Sequence, residues 1–183
     1  IHKNTYLDRC SMFHMSDAAH RLLSNYGNDL CWLYENLNND RSRKLLVDLI
    51  LYRILGYRHV KLPVNNENYW LAIKKIEMLA KKEDKIHTEF LDWDLYFFDL
   101  AALGYDLKLY CTVQGITIGF VLEQYAYRLE DKNIAVEQGD YVIDAGGCWG
   151  DSALYFASKI KNSGKVFSFE FIPKNMKIFE RNI

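Results

Sequence analysis

Apolar positions recur with helical spacing through the first half of the chain. Ser16 is placed to cap a helix that runs through Ser24, with Gly27 just past its end. A second helix is expected over 28–37, with Leu30, Leu33, Tyr34 and Leu37 on one face. The next unit is the clearest. Asn39 or Asp40 caps it, Leu45, Leu46, Leu49, Ile50 and Tyr52 follow at helical intervals, and Gly56 sits where a left-handed C-terminal residue belongs. Beyond Pro63, residues 67–82 form an amphipathic pattern with Leu71, Ile73, Ile76 and Leu79 apolar. Its lysines are interrupted by acids, so a solvated face is expected rather than a nucleic-acid or membrane surface.

From residue 92 the pattern turns aromatic and β-branched. Residues 106–113, Gln114-Gly115 and 116–121 read as strand, turn and strand. The last 45 residues alternate between the two periods. Gly139-Asp140 is a turn and 141–145 a short apolar strand. Residues 146–150 form a glycine-rich loop. A helix over 152–161 follows, burying Leu154, Tyr155, Ala157 and Ile160. A second strand spans 165–171, and Pro173 opens a final helix. Strand, helix, strand, helix implies parallel strands. The predicted fold is therefore α/β: a mainly helical region over 1–90, then the start of a Rossmann-like doubly wound sheet over 91–183.

Composition narrows the reading. Half of the 183 residues are apolar and 15% are aromatic, with two prolines and ten glycines, so a packed core is expected rather than a disordered chain. The formal charge of −1 is intermixed along the chain, which argues against a nucleic-acid partner. Four scattered cysteines (Cys10, Cys31, Cys111, Cys148) fit no zinc spacing and read as free thiols; no metal site is expected. No apolar run reaches the roughly 20 residues of a membrane span, and residues 1–10 lack a signal sequence, so a cytoplasmic protein is expected.

Chemistry concentrates in Asp144-Ala145-Gly146-Gly147-Cys148-Trp149-Gly150-Asp151-Ser152. A strand turning tightly into a helix needs positive φ, and glycine also lets a ligand approach the backbone where open α/β sheets bind. The glycines fit no dinucleotide register. Gly150 is followed by Asp151 rather than by the Lys of a phosphate loop. An acid there repels phosphate and suits a cation. Glu170, twenty residues past Gly150, ends the second strand, where an acid can accept ribose hydroxyl protons. The plainer alternatives are a turn or capping role for Asp144 and a solvated strand-end acid for Glu170.

These residues resemble the first motif of class I S-adenosylmethionine-dependent methyltransferases, in the FkbM-like form Asp-x-Gly-Ala-Asn-x-Gly-Asp-Thr. Val166-Phe-Ser-Phe-Glu170-Phe-Ile-Pro173 is similar to the family's second motif, and the tail through Asn175 and Asn182 continues in kind. A looser likeness starts near Asn38. Gly147 and Cys148 stand where the family has Ala-Asn, Ser152 replaces Thr, and Phe171 stands where Pro is common. The resemblance implies S-adenosylmethionine as cofactor, held by Asp144, Gly146, Gly147, Cys148, Trp149, Gly150, Asp151, Ser152 and Glu170. It implies O-methylation of a sugar, glycan or other small-molecule hydroxyl by in-line attack, with positioning as the main catalytic contribution. No catalytic base is assigned.

Glu123, Gln124 and Tyr125 are candidates to close the cofactor site, against a packing role. A seven-stranded sheet needs strands after Ile183, so an incomplete sheet is expected, a fragment that binds cofactor weakly and turns over nothing. A homo-oligomer is compatible with its open edge. The competing class is a non-catalytic helical interaction module with a vestigial cofactor-binding piece.

Overall fold

The computed structural model describes residues 12–89, 91–129 and 131–183. Cys10 and the polar stretch 1–10 lie outside them. The chain divides into two units, 1–66 and 67–183.

The first unit is a pair of helices, α1 (Met12–Asn36) and α2 (Asp40–Leu55). The expected break at Gly27 is absent, and α1 is continuous. An isolated glycine costs a helix about 1 kcal/mol relative to alanine without ending it, and Gly27 is not among the positive-φ glycines. Helix α2 starts where its sequence says. Asn39 is extended, and its Oδ1 accepts from the Ser42 amide at 2.8 Å. Gly56 ends the helix at φ 82°, ψ 174°, a mirror-extended rather than left-handed helical conformation, still one that favours glycine. Arg43 joins the two helices by donating from Nε to the Tyr34 carbonyl at 3.3 Å.

In the second unit, α3 (Glu67–Leu79) buries Ile73 and Ile76. The helical pattern was expected to reach residue 82, and the helical region residue 90. Instead, β1 (Lys81–Thr88) begins two residues after α3. Its sequence, Lys-Lys-Glu-Asp-Lys-Ile-His-Thr, carries no apolar alternation. It is a charged edge strand held by its neighbour, the kind of edge that discourages further pairing. That neighbour is β2 (Trp93–Asp99), which pairs antiparallel with β1 and with β3 (Lys108–Cys111). A 3₁₀ turn, Ala101–Leu103, lies between β2 and β3.

The expected hairpin over 106–121 is also replaced. Only β3 is a strand. Thr112 then caps α4 (Val113–Ile116), its Oγ1 accepting from the Gly115 amide at 2.9 Å, and a π-helical turn, Thr117–Val121, continues it. Val113, Ile116, Thr117 and Phe120 share one face and are buried, so packing overrides the β-branched propensity.

A short hairpin of β4 (Tyr127–Leu129) and β5 (Lys132–Ile134) follows. The pattern at 139–183 holds almost to the residue: β6 (Tyr141–Ala145), α5 (Asp151–Ile160), β7 (Lys165–Phe169) and α6 (Pro173–Asn182). Strands β6 and β7 are parallel, with Tyr141 opposite Lys165 and Ala145 opposite Phe169. The described residues thus mix helix and sheet, with one parallel pair and two antiparallel sheets among them. Its core joins Ile76, Phe98, Leu100, Leu109 and Ile116, all 0–1% exposed, to Tyr155 and Phe156.

On α5 the buried positions are Ser152, Ala153, Tyr155, Phe156 and Ile160. Leu154 is half-buried and Ala157 exposed, contrary to expectation. Phe120 and Tyr125 draw the aromatic side of the helix inward, while Leu154 and Ala157 line an open groove against Val166 and Phe179. Among the described residues, no helix is long and apolar enough to cross a membrane.

Candidate functional site

Strand β6 delivers Asp144 to the start of the glycine loop, buried at 9% exposure. Its Oδ2 accepts from Ser152 Oγ at 3.0 Å and from Ser168 Oγ at 2.7 Å. One carboxylate oxygen therefore ties together β6, α5 and β7. Asp144 is turned inward, and the position of the loop depends on it.

The loop is built from positive-φ residues. Gly146 has φ 101° and Gly150 φ 86°. The Gly146 and Gly147 amides both donate to the Phe169 carbonyl at 2.9 Å, pinning the loop to the end of β7. Gly147 is required by space. A Cβ there would lie 2.2 Å from Ser168 Oγ and 2.8 Å from the Phe179 ring. Glycine at this position therefore goes with Ser168, whose hydroxyl is committed to Asp144. Cys148 adopts φ 46°, a left-handed conformation that asparagine tolerates better than cysteine.

Charge at the loop is of one sign. Asp151 is the first residue of α5, and burial raises its pKa, with the neighbouring backbone amides of Asp151 and Ser152 opposing that rise. A carboxylate at the helix start makes this end less welcoming to an external phosphate than a helix start without one. Glu170 ends β7. Its Oε1 accepts from the Ile172 amide at 2.6 Å and the Phe171 amide at 2.8 Å, and these bonds, with Asn175 and the Cys148 amide, hold the carboxyl below its usual range. The Cys148 thiol lies between these acids. Burial, then Asp151 and Glu170, push it up to about 11. Among the described residues, no lysine or arginine forms an ion pair with Asp144, Asp151 or Glu170.

Trp149 differs from its loop neighbours. It is 6% exposed and packs into a second cluster with Leu95 and Tyr110, edge-on to Trp93 at 6.2 Å. Its side chain supports the loop from behind. Gly146, Gly147, Cys148, Gly150, Asp151 and Glu170 make up the loop's acid-lined crossover; Asp144, Trp149 and Ser152 brace it. No family model, curated protein or solved structure matches the chain. The reading of the site therefore rests on its own chemistry.

The three residues proposed to close the site separate. Glu123 is committed to Lys159 and, at 2.6 Å, to Arg128. Tyr125 packs on Phe156 at 4.9 Å and Tyr155 at 5.5 Å, and its hydroxyl pKa is raised by burial and then by Asp151 and Asp144. Tyr125 therefore stands near the loop, while Glu123 belongs to a separate ion cluster. The Gln124 amide donates to the Ile118 carbonyl at 3.0 Å.

Two contributions escape sequence reasoning. The Thr112–Gly115 cap borders Asp151: a Cβ on Gly115 would lie 3.9 Å from Asp151 Oδ2. Asn182 does more. Its Oδ1 accepts from the Tyr110 amide at 2.7 Å, and its Nδ2 donates to the Tyr110 carbonyl at 3.0 Å and the Trp149 carbonyl at 2.7 Å. One side chain completes the free edge of β3 and anchors the glycine loop. The available signal is a pair of asparagines, Asn175 and Asn182, seven apart on α6 and both buried.

Proposed function

We propose that residues 67–183 carry the cofactor-binding opening of a class I S-adenosylmethionine-dependent methyltransferase of the FkbM kind. In this reading β6, α5 and β7 begin a Rossmann-like doubly wound sheet. The observation that carries it is the glycine loop at the carboxyl ends of two parallel strands, beside Asp144, Asp151 and Glu170, none of which is ion-paired to a cation among the described residues. Such a loop suits a ligand bearing an ammonium and a sulfonium and disfavours a phosphate-bearing nucleotide.

The residues fit the cofactor in a definite way. Gly146, with open space where a Cβ would stand, allows backbone approach, Asp151 supplies charge for the methionyl ammonium, and Glu170, held ionised, supplies an acceptor for ribose hydroxyls. The bound cofactor supplies an electrophilic methyl group. The protein's share is to hold the loop rigid through the Asp144–Ser152–Ser168 bonds and to exclude anions from it. The acceptor class is a small-molecule, sugar or glycan hydroxyl, as the family resemblance implies.

Calorimetric titration of the chain with S-adenosylhomocysteine, beside NAD, tests the reading. Saturable binding of the first alone is expected, lost in Asp151→Ala and Glu170→Ala variants that keep their circular dichroism. Binding of NAD, or S-adenosylhomocysteine binding indifferent to both substitutions, would overturn it. A second reading, a helical interaction module, is favoured by α1 and α2, which leave Trp32 65% and Tyr26 56% exposed. Under that reading partner capture survives both substitutions.

A further inference from the structure

A groove of about 360 Å³ lies between the end of β1 and one face of α6. Along that face α6 presents Lys174, Lys177 and Arg181, spaced three and four apart. Like charges at this spacing repel, and nothing in the local sequence requires them to share one face. Across the groove stand His87 and Glu89. Lys174 pairs with Glu89. Lys177 is exposed and, among the described residues, has neither an ion pair nor a hydrogen bond.

Arg181 is the best-ordered cation of the three. Its guanidinium lies over the Tyr110 ring at 4.4 Å, and Nη2 donates to the Tyr110 hydroxyl at 2.7 Å. That hydroxyl in turn donates to Asp84 at 2.9 Å. Stacking fixes the plane of the fork, and one hydrogen bond uses only part of its five donors. His87 has both ring nitrogens engaged, by Asp92 at 3.1 Å and Asp94 at 3.0 Å, so it forms a wall rather than a donor. Lys174 is offset by Glu89 and Arg181 is linked to Asp84 through the Tyr110 hydroxyl, which leaves the Arg181 fork without a direct carboxylate partner and Lys177 without an ion pair among the described residues.

We propose that this groove binds a phosphate monoester, gripped by the preordered fork of Arg181 and the ammonium of Lys177. A planar fork beside a point charge matches a tetrahedral dianion, and the volume admits a group of sugar-phosphate size. The site is chemically opposite to the acid-lined loop. The two adjoin through Asn175, which lines the groove and helps to hold the Glu170 carboxyl below its usual range. The proposal stands whether or not the loop binds S-adenosylmethionine.

The test is a titration of the ¹⁵N-labelled chain with glycerol phosphate and with inorganic phosphate, read on backbone amides. Saturable shifts confined to 86–89 and 174–181 are expected. Lys177→Glu, which breaks no contact, weakens binding by about tenfold or more, and Arg181→Lys by several-fold, because the point charge stays and the fork is lost. Lys132→Glu, the same charge change on exposed β5, leaves the affinity within about twofold, as screening of a remote surface charge requires. Co-sedimentation with phosphatidylcholine vesicles carrying phosphatidic acid, abolished by Lys177→Glu, would support the same site with a lipid headgroup as the phosphate source. Absence of saturable shifts without vesicle binding, or equal losses from Lys177→Glu and Lys132→Glu, would overturn it.

Discussion

The two units are drawn from a similar stock of residues and use it in opposite ways. In the second, Ile76, Phe98, Leu100, Leu109 and Ile116 lose essentially all contact with solvent. In the first, Gly56 is the one buried residue between 15 and 66, and Leu23, Trp32, Leu45, Leu49 and Leu51 stay 39–65% exposed. Burying a large aliphatic or aromatic side chain contributes about 1.5–3 kcal/mol, so the second unit holds itself together with a term that is much smaller in the first, where Leu30, Leu46 and Ile50 are only half-buried. Helices α1 and α2 rest on local terms: the Asn39 cap, the Lys44–Asp48 pair at 2.6 Å and the Arg43 link. Such terms contribute about a kcal/mol or less each. A clear helical period therefore announces an element and says nothing about whether that element owns a core.

Truncation is the strongest way to break this contrast. Phe98→Ala is expected to cost about 3–5 kcal/mol in chemical denaturation, as for other fully buried phenylalanines. Leu49→Ala, on α2 and 42% exposed, should stay within about 0.5 kcal/mol. A cost for Leu49→Ala approaching that of Phe98→Ala would mean that the face of α2 is covered in solution, and the contrast would fail.

Asn182 gives the next largest effect, and it is polar. Asn182→Ala leaves the Tyr110 amide, the Tyr110 carbonyl and the Trp149 carbonyl without their buried partner, at an expected cost of about 2–3 kcal/mol. Asn182→Asp should be no milder, because a carboxylate cannot donate to the two carbonyls. Hydrogen exchange at the Tyr110 amide reports the loss directly. Unchanged protection there in Asn182→Ala would show that the edge of β3 is satisfied some other way.

These residues also mark what the sequence could reveal. The bounds of α2, β6, α5, β7 and α6 were legible because their signals are local: the Asn39 cap, the glycines after Ala145, and Pro173 at the start of α6. The shape of the glycine loop follows for the same reason. Strand β1 was not legible, since a run of charged residues becomes a strand only through its pairing with β2. Nor was α4, whose Gly115 reads as a turn until Thr112 is seen to cap it. Asn182 reaches partners 72 and 33 residues away, and no spacing rule carries that far. The inward turn of Asp144 was hidden too, because Ser168 lies on a different strand.

Thiol reactivity gives the smallest and sharpest comparison, with one cysteine in the helical pair and two in the core unit. Cys31 is exposed on α1, Cys148 half-buried in the glycine loop, and Cys111 buried on β3. Alkylation requires the thiolate. Burial and the charges of Asp151 and Glu170 raise the Cys148 thiol to about 11, so it is neutral at pH 7.5 and its thiolate fraction grows only as the pH rises toward that value. Burial raises Cys111 further from reaction. Iodoacetamide labelling followed by mass spectrometry should therefore run in the order Cys31, Cys148, Cys111. The Cys148 rate should climb about tenfold per pH unit between pH 8 and 10, the slope of a thiol titrating above that range. Labelling of Cys148 as fast as Cys31 at pH 7.5 would mean that the loop is more open, or less acidic, than its geometry indicates. Protection of Cys148 by S-adenosylhomocysteine, with Cys31 unaffected, would support placing that ligand at the loop, since an ammonium near the thiol favours the thiolate and would speed labelling rather than slow it.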